Sequence, residues 1–239
     1  MARLTDHRLL TFDVYGTLID WETGVLNAFN PLIEISGIYP TRGQILQAFH
    51  ECERAQQNKT PNMKYSDLVA TICPHVTASL GLPEPTSEQS ANFGNSVPSW
   101  PVFPDTVKAL ERLKKHFKLV CLSNVDMDSF AGSNAGPLQG IDFDLVITAE
   151  EVGSYKPDLR NFEYMLQQVK EKFGVSKEEI IQTAQSQFHD HHPAHKMDIR
   201  SSWIVRPGAL MGNLDEQVYD WKFDTLGAMA DAVELELEA

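Results

Sequence analysis

The sequence predicts an α/β protein with a doubly wound, Rossmann-like parallel-sheet core and an inserted all-helical cap. Three observations carry this prediction. An apolar run at residues 9–14 is typical of a buried central strand. Helix and strand patterns alternate from residue 105 onward, which indicates parallel strands joined by helical crossovers. Residues 21–99 hold helical periodicity and no convincing strand, so we assign the core to residues 1–20 and 100–239 and the cap to residues 21–99.

Helices within the predicted cap follow from apolar residues spaced three and four apart, and their ends follow from Gly and Pro. The first helix contains Val25 and Ile33 and stops at Gly37. The next opens at Thr41 or Gly43 and reaches a loop at residues 58–62. Two shorter helices are expected over residues 65–73 and 76–80. Pro98, Pro101 and Pro104 mark the return to the core.

The core elements after the cap alternate in type. Amphipathic spacing predicts the helices, and short apolar runs predict the strands. The predicted elements are a helix at 105–116, strands at 117–122 and 143–148, a helix at 157–173, strands at 180–184 and 201–205, and a closing helix at 225–237.

Charge and composition narrow the function. A net charge of −13 argues against binding to nucleic acid or an anionic membrane, because contacts with phosphate need a basic surface. No run of 18 apolar residues and no signal-peptide core is present, so no transmembrane helix is expected. Three irregularly spaced cysteines fit free thiols. We therefore expect a cytoplasmic protein. Its charge is compatible with a small anionic substrate, because one local cluster of Lys or Arg can override the overall field.

Polar side chains follow four successive predicted strands. Asp13 ends the first, Ser123-Asn124 the second, Lys156 follows the third and Asp190 the fourth. Taken singly, each of these residues also has a structural explanation without a functional role. Ser123 and Asn124 could form a turn, Lys156 could be a solvated surface residue, and Asp190 could cap a helix. Because parallel strands end at one edge of a sheet, the ordered set predicts a single site there.

These residues resemble the four motifs of the haloacid dehalogenase-like hydrolase superfamily. Asp13-Val14-Tyr15-Gly16-Thr17 is similar to the first motif, Ser123 to the second, Lys156 to the third and Asp190 to the fourth. The D-x-Y-G-T form and the Ser-Asn pair resemble the L-2-haloacid dehalogenases (type II branch) more than the phosphatases. The resemblance covers nearly the whole chain and implies the same core and cap.

Two positions favour a site without metal or other cofactor. A phosphatase needs an acid two residues after the nucleophile to protonate an alkoxide, and Tyr15 stands there. Halide departs without a proton. The superfamily's second acid, four residues before Asp190, is replaced by Ser186, which leaves few oxygen ligands for Mg²⁺. A Mg²⁺-dependent phosphatase and a catalytically silent binding protein remain as alternatives.

The resemblance implies a mechanism in which Asp13 attacks the halogen-bearing carbon and water then hydrolyses the aspartyl ester. Thr17, Ser123 and Lys156 would hold carboxylate oxygens, and Asp190 would orient Lys156 or activate the water. The expected reaction converts a small 2-haloacid, which is a carboxylate, to a 2-hydroxy acid. The protein is a candidate homodimer. The residues expected to bind the substrate are Tyr15, Asn124, His50, Ser186 and His189.

His50 is among them because it lies near the place of the dehalogenases' halide-binding cap arginine, with Arg42 and Arg54 as displaced candidates. The histidines around Asp190 allow two interpretations, since imidazole suits Zn²⁺. Adjacent loop residues rarely converge on one ion, and no H-E-x-x-H spacing occurs. We therefore favour one or two pocket-lining rings and surface positions for the others. The cluster comprises His189, His191, His192 and His195.

Overall fold

A six-stranded, fully parallel sheet forms the centre of the computed structural model, which describes residues 2–239. Its strand order is β3-β2-β1-β4-β5-β6. The predicted α/β class with a doubly wound parallel sheet is confirmed. The strands are β1 Leu9–Phe12, β2 Lys118–Ser123, β3 Leu145–Thr148, β4 Ile180–Ala184, β5 Arg200–Ile204 and β6 Trp221–Phe223.

The strand order reverses direction beside β1, and that reversal creates the place for a site. In register, Phe12 pairs with Cys121 of β2 and with Thr183 of β4. The N–H of Asp13 then donates to the carbonyl of Thr183 at 3.1 Å and extends the ladder by one residue. In open parallel sheets, ligands bind in the crevice beyond the carboxyl ends of the strands at such a switch point.

Helices cover both faces of the sheet. Alternate residues of β1 face opposite ways: Leu10 and Phe12 belong to one apolar cluster, and Leu9 belongs to the other. The helices are α1 Trp21–Ser36, α2 Arg42–Lys59, α3 Tyr65–Ser79, α4 Ser87–Asn95, α5 Thr106–Leu113, α6 Met127–Ala135, α7 Ala149–Val152, α8 Leu159–Phe173, α9 His192–Lys196 and α10 Leu226–Glu238. Residues of α5 and α10 lie in the first cluster and those of α8 in the second.

Residues 21–99 form the four helices α1–α4, here called the inserted helices, and contain no strand. The side chain of Asp20 caps α1 by accepting from the N–H of Thr23 at 3.1 Å. Phe93 stacks edge-on against Phe29 and Phe49, with ring centroids 4.5 and 5.9 Å apart. These rings belong to the same apolar cluster as Leu10 and Phe12 of β1, so the inserted helices pack continuously onto one face of the sheet. The division of the chain into a core and a cap at residues 20/21 and 99/100 stays a prediction.

Several elements differ from the sequence predictions. The two helices expected at 65–73 and 76–80 are one helix, α3, which continues through Pro74 and buries Cys73 and Val76. The helices α4, α6 and α7 were missed, as was β6. Helices α4 and α6 carry capping signals, the Thr86–Gln89 box and the Asp126 side chain.

Between residues 2 and 239, no helix combines the length and the apolar character needed to cross a membrane. The cysteines Cys52, Cys73 and Cys121 are free thiols, as the sequence predicts.

Candidate active site

Three charged side chains meet at the carboxyl edge of the sheet. The Nζ of Lys156 donates to Oδ1 of Asp13 at 2.9 Å and to Oδ1 of Asp190 at 2.7 Å. It also donates to the carbonyl of Leu122 at 2.7 Å, so all three of its protons are used. The side chain of Lys156 is 1% exposed. Burial disfavours its charge, but the two carboxylates outweigh that penalty and raise the pKa of Lys156.

The turn after β1 aims Asp13 into the site. Gly16 adopts a φ of 106°, a backbone conformation that residues other than glycine rarely adopt, and the chain turns back on itself at this point. This brings Thr17 beneath Asp13, where its Oγ1 donates to Oδ2 of Asp13 at 2.6 Å and accepts from the N–H of Gln185 at 2.9 Å. Thr17 therefore joins the turn after β1 to the end of β4.

Asp190 sits in a single π-helical turn, Gln187–His191, that begins just after β4. Its Oδ1 also accepts from Nε2 of Gln182 at 2.9 Å, whereas Oδ2 is buried and has no hydrogen bond within residues 2–239. Burial and the charge of Asp13 raise the pKa of Asp190 to about 7, although Lys156 acts in the opposite direction. The carboxyl group is thus set to exchange a proton near neutral pH.

A small cavity of about 70 Å³, here called the inner cavity, opens above these groups. Residues of the core form its floor, and residues of the inserted helices form its roof. The floor comprises Asp13, Tyr15, Asn124, Gln185, Ser186, His189, Asp190, Met211 and Gly212. The roof comprises Trp21, His50, Glu53, Gln57 and Tyr65.

The structure brings together four of the five predicted catalytic residues by direct contact: Asp13, Thr17, Lys156 and Asp190. Ser123 ends β2 next to them, 3% exposed, and its Oγ has no hydrogen-bond partner among the residues described. It does not line the inner cavity.

The predicted substrate-binding residues all line the inner cavity, but three of them use their polar groups elsewhere. The hydroxyl of Tyr15 pairs with Ser133 at 2.8 Å, and burial raises its pKa. The Asn124 amide binds the backbone of Lys156. Ser186 accepts from the N–H of His189 at 3.0 Å.

The imidazoles of His50 and His189 face the inner cavity from opposite sides. Burial lowers the pKa of His189 to about 4, so this ring is neutral at pH 7. The displaced arginine candidates do not line the cavity. Arg42 pairs with Glu22 at 2.6 Å, and Arg54 lies over the Phe188 ring at 5.8 Å.

Several cavity residues were not predicted. Glu53 lies one turn after His50 on α2, so a helical-face argument applied to His50 would have found it. Gln57 follows one turn later on the same face. Met211 and Gly212 belong to the loop after β5, for which the sequence carries no distinguishing signal. That loop is held by the buried Glu22, which accepts from the N–H groups of residues 210 and 211 at 2.8 and 2.9 Å.

The residues of the site do not fit the Mg²⁺ that phosphatases of this fold require. The facing oxygens of Asp13 and Asp190 both contact the ammonium of Lys156, which occupies the position between them. Mg²⁺ demands six oxygen ligands in near-octahedral array. Oδ2 of Asp190 stands alone, and no group of three or more potential ligands from His, Cys, Asp and Glu occurs over residues 2–239.

The histidine cluster does not converge. The His191 ring lies near Oγ of Ser201 and the Ala184 carbonyl, both at 2.9 Å, which makes it a buried structural residue. His192 binds the Glu216 carbonyl at 2.9 Å on the surface. Of the four histidines in the cluster, His189 alone lines the inner cavity.

A turn that presents Asp13, a buried lysine between two acids and a helical roof over a parallel sheet are typical of one class of hydrolase. The haloacid dehalogenase-like hydrolase family model matches residues 7–181, and the chain belongs to that family. An (S)-2-haloacid dehalogenase of Pseudomonas sp. (strain YL) is 25% identical over 236 residues, 94% of each chain, which supports the L-2-haloacid dehalogenase (type II) branch. Haloacid dehalogenase-like hydrolase domain-containing protein 3 of Mus musculus is 29% identical over 182 residues, 70% of this chain and 71% of the mouse protein.

Solved structures share the fold. The L-2-haloacid dehalogenase of Xanthobacter autotrophicus with chloropropionic acid covalently bound has a TM-score of 0.77, with 18% identity over 95% of this chain and 98% of that chain. The HAD-hydrolase YfnB of Bacillus subtilis bound to magnesium has a TM-score of 0.74, with 15% identity over 98% of this chain and 100% of that chain. Both dehalogenase and magnesium-bound members therefore share this architecture.

Proposed function

We propose that this hydrolase is a metal-independent dehalogenase that converts a small 2-halo compound to the 2-hydroxy product through an ester on Asp13. The observation that carries the proposal is the position of the Lys156 ammonium, in contact with Asp13 and Asp190 at once. A fixed cation beside both acids supplies the charge balance that a divalent ion supplies in phosphoryl transfer. The Pseudomonas relative, named as a 2-haloacid dehalogenase, supports the same reaction class.

In the first step the Asp13 carboxylate attacks the halogen-bearing carbon. A carbon–oxygen bond forms, the carbon–halogen bond breaks, and halide leaves with the bonding electron pair. Contacts from Thr17 and Lys156 fix both carboxylate oxygens, which presents Asp13 in one orientation. Halide needs no proton, which agrees with a tyrosine two residues after the nucleophile.

In the second step water gives a proton to a base and attacks the Asp13 carboxyl carbon. The ester's acyl–oxygen bond then breaks, and the proton passes from the base to the departing alkoxide, so that the product leaves as the 2-hydroxy compound. We assign the base to Asp190, whose Oδ2 has no hydrogen bond within residues 2–239 and whose pKa is raised to about 7. Lys156 then stabilises the oxyanion that develops on Asp13. After turnover Asp13 carries one oxygen from water.

The test measures chloride release from 2-chloropropionate and 2-chloropropionamide in the presence of EDTA, with Asp13→Asn as control. A single turnover in ¹⁸O-water should leave the label in the Asp13 peptide and unlabelled oxygen in the product. Label entering the product directly in that first turnover contradicts the ester. Release of phosphate from an aryl phosphate only with Mg²⁺, without chloride release, would instead support the phosphatase alternative.

A further inference from the structure

The roof of the inner cavity carries an acid in a family whose expected substrate is an anion. Glu53 projects from α2, with its side chain 14% exposed, and lines the inner cavity together with Asp13 and Asp190. The hydroxyl of Tyr65 donates to Oε1 of Glu53 at 2.6 Å and fixes the carboxylate there. Oε2 has no hydrogen bond among residues 2–239, and its nearest cationic candidate is the His50 ring.

Of the positive groups near the cavity, Arg54 forms no ion pair within residues 2–239, but it borders only the adjoining vestibule and lies over the Phe188 ring. The other positive groups are already committed. Lys156 uses all three protons on Asp13, Asp190 and a backbone carbonyl. The pKa of His189 is lowered to about 4, so it adds no charge at pH 7. Nδ1 of His50 lies 3.8 Å from Oε2 of Glu53, so any proton on that nitrogen faces the carboxylate rather than an incoming anion.

No arginine lines the inner cavity in the part of the chain that the structure describes. A substrate carboxylate in the inner cavity would therefore lie beside Glu53 with no unpaired cation among the residues that line that cavity. An uncompensated anion in a partly buried site is costly. By contrast, an uncharged polar group that donates a hydrogen bond finds an acceptor in Oε2 of Glu53. Gln57, which carries an uncharged amide, lines the same cavity.

We propose that Glu53 selects an uncharged substrate whose polar end donates a hydrogen bond, a 2-haloamide rather than a 2-haloacid. This inference rests on the proposed dehalogenase reaction at Asp13 and narrows its substrate class. Glu53 acts here as a specificity residue that contacts the non-reacting end of the substrate, and the bond-making steps stay those of Asp13.

The experiment compares 2-chloropropionamide with 2-chloropropionate, which differ in charge and little in size. The ratio of kcat/KM for the amide to that for the acid is measured in the wild type, in Glu53→Gln and in Glu51→Gln. The side-chain carbonyl introduced by Glu53→Gln keeps an acceptor for Tyr65. Glu51 is exposed on the same helix and serves as the matched control. Comparing ratios between variants removes the difference in intrinsic reactivity of the two chlorides.

We expect Glu53→Gln to shift the ratio toward the acid by roughly tenfold, the size expected for loss of one unit charge near another in a partly solvated pocket. The shift should appear mainly in KM for the acid, and Glu51→Gln should leave the ratio unchanged. An unchanged ratio in Glu53→Gln, or a wild-type KM lower for the acid than for the amide, overturns the proposal.

A binding arm separates this inference from the dehalogenase proposal. Calorimetry measures the binding of lactamide and lactate to the wild type and to Glu53→Gln. If neither substrate releases chloride, the dehalogenase proposal fails. Charge selection by Glu53 is still supported if the wild type binds lactamide more tightly than lactate and if this preference is lost or reversed in Glu53→Gln. Equal binding of lactate and lactamide in both proteins overturns it.

Discussion

The side-chain amide of Asn124 spans the backbone of Lys156. Its Oδ1 accepts from the Lys156 N–H at 2.7 Å, and its Nδ2 donates to the Lys156 carbonyl at 3.0 Å. Because both hydrogen bonds hold the backbone of Lys156, Asn124 fixes the position from which the Lys156 side chain extends to the site. Asn124, which the sequence suggested as a substrate contact, is thus a positioning residue for the lysine.

Replacement of Asn124 should therefore impair catalysis through Lys156. We expect Asn124→Ala to lower kcat by roughly 10- to 100-fold, the scale of loss for misplacement of a catalytic group by about 1 Å. The value of kcat is measured from the rate of chloride release at saturating substrate. Asn92→Ala, at an exposed position of α4, removes the same amide from the surface and should leave kcat unchanged. A fall in substrate affinity with unchanged kcat would instead indicate a direct substrate contact.

Thr17 should prove essential through its hydroxyl. Thr17→Val leaves Oδ2 of Asp13 and the N–H of Gln185 without their partner, and an unsatisfied buried polar group costs about 1–3 kcal/mol. We expect a lower free energy of unfolding of that size, measured by urea denaturation, together with reduced kcat. Thr17→Ser retains the hydroxyl and should restore most of both. Equal loss in the serine variant would mean that the methyl group, and not the hydrogen bonds, matters.

Asp190 should make stability depend on pH below neutrality. Its pKa is raised to about 7 in the fold against about 3.9 unfolded, so between those values the native state binds more protons than the unfolded state. Its contribution is fully present below about pH 4 and is lost as the pH rises through about 7. We expect the free energy of unfolding of the wild type, relative to Asp190→Asn, to fall between about pH 4 and pH 7. A difference that rises over this range contradicts a raised pKa.

Gly24 in α1 should tolerate no side chain. A Cβ at this position would overlap the ring of Trp100, which packs against the helix. Overpacking of a tight contact costs typically about 1–3 kcal/mol, so Gly24→Ala should lower the urea midpoint accordingly. Gly43→Ala in α2 has open space around it and should leave the midpoint unchanged or raise it. Similar midpoints for the two variants would show that α1 can shift away from Trp100.

The charged floor of the site could be predicted from the sequence because topology fixes it. Asp13, Lys156 and Asp190 follow separate strands, and parallel strands end at one edge whatever the loops between them do. The contact of Thr17 with Asp13 could also be predicted, because the two residues are only four positions apart within one turn. The role of Asn124 was not visible, since a side chain bound to a backbone 32 residues away leaves no pattern in the sequence.

The roof could not be predicted, because it depends on how separate helices face the sheet. Periodicity located α2 and its apolar face, but whether Glu53 turns toward solvent or toward Asp13 is decided by tertiary packing. The short edge strand β6 has only three residues and little burial, so no alternation marks it. Helix α4 was hidden by its polar composition, even though its capping box was legible.

The carboxylate of Glu22 links two parts of the chain that are far apart in sequence. It accepts from the backbone of residues 210–211 and from Arg42 of α2, and it belongs itself to α1. Separating these groups would leave a buried charge unpaired, at a cost of about 3–5 kcal/mol. Glu22 therefore holds helix α1 against the loop at residues 210–211 and closes the contact between them. On another side of the site, Arg54 and Pro61 border an adjoining vestibule of about 340 Å³, which leaves that side open to a small molecule.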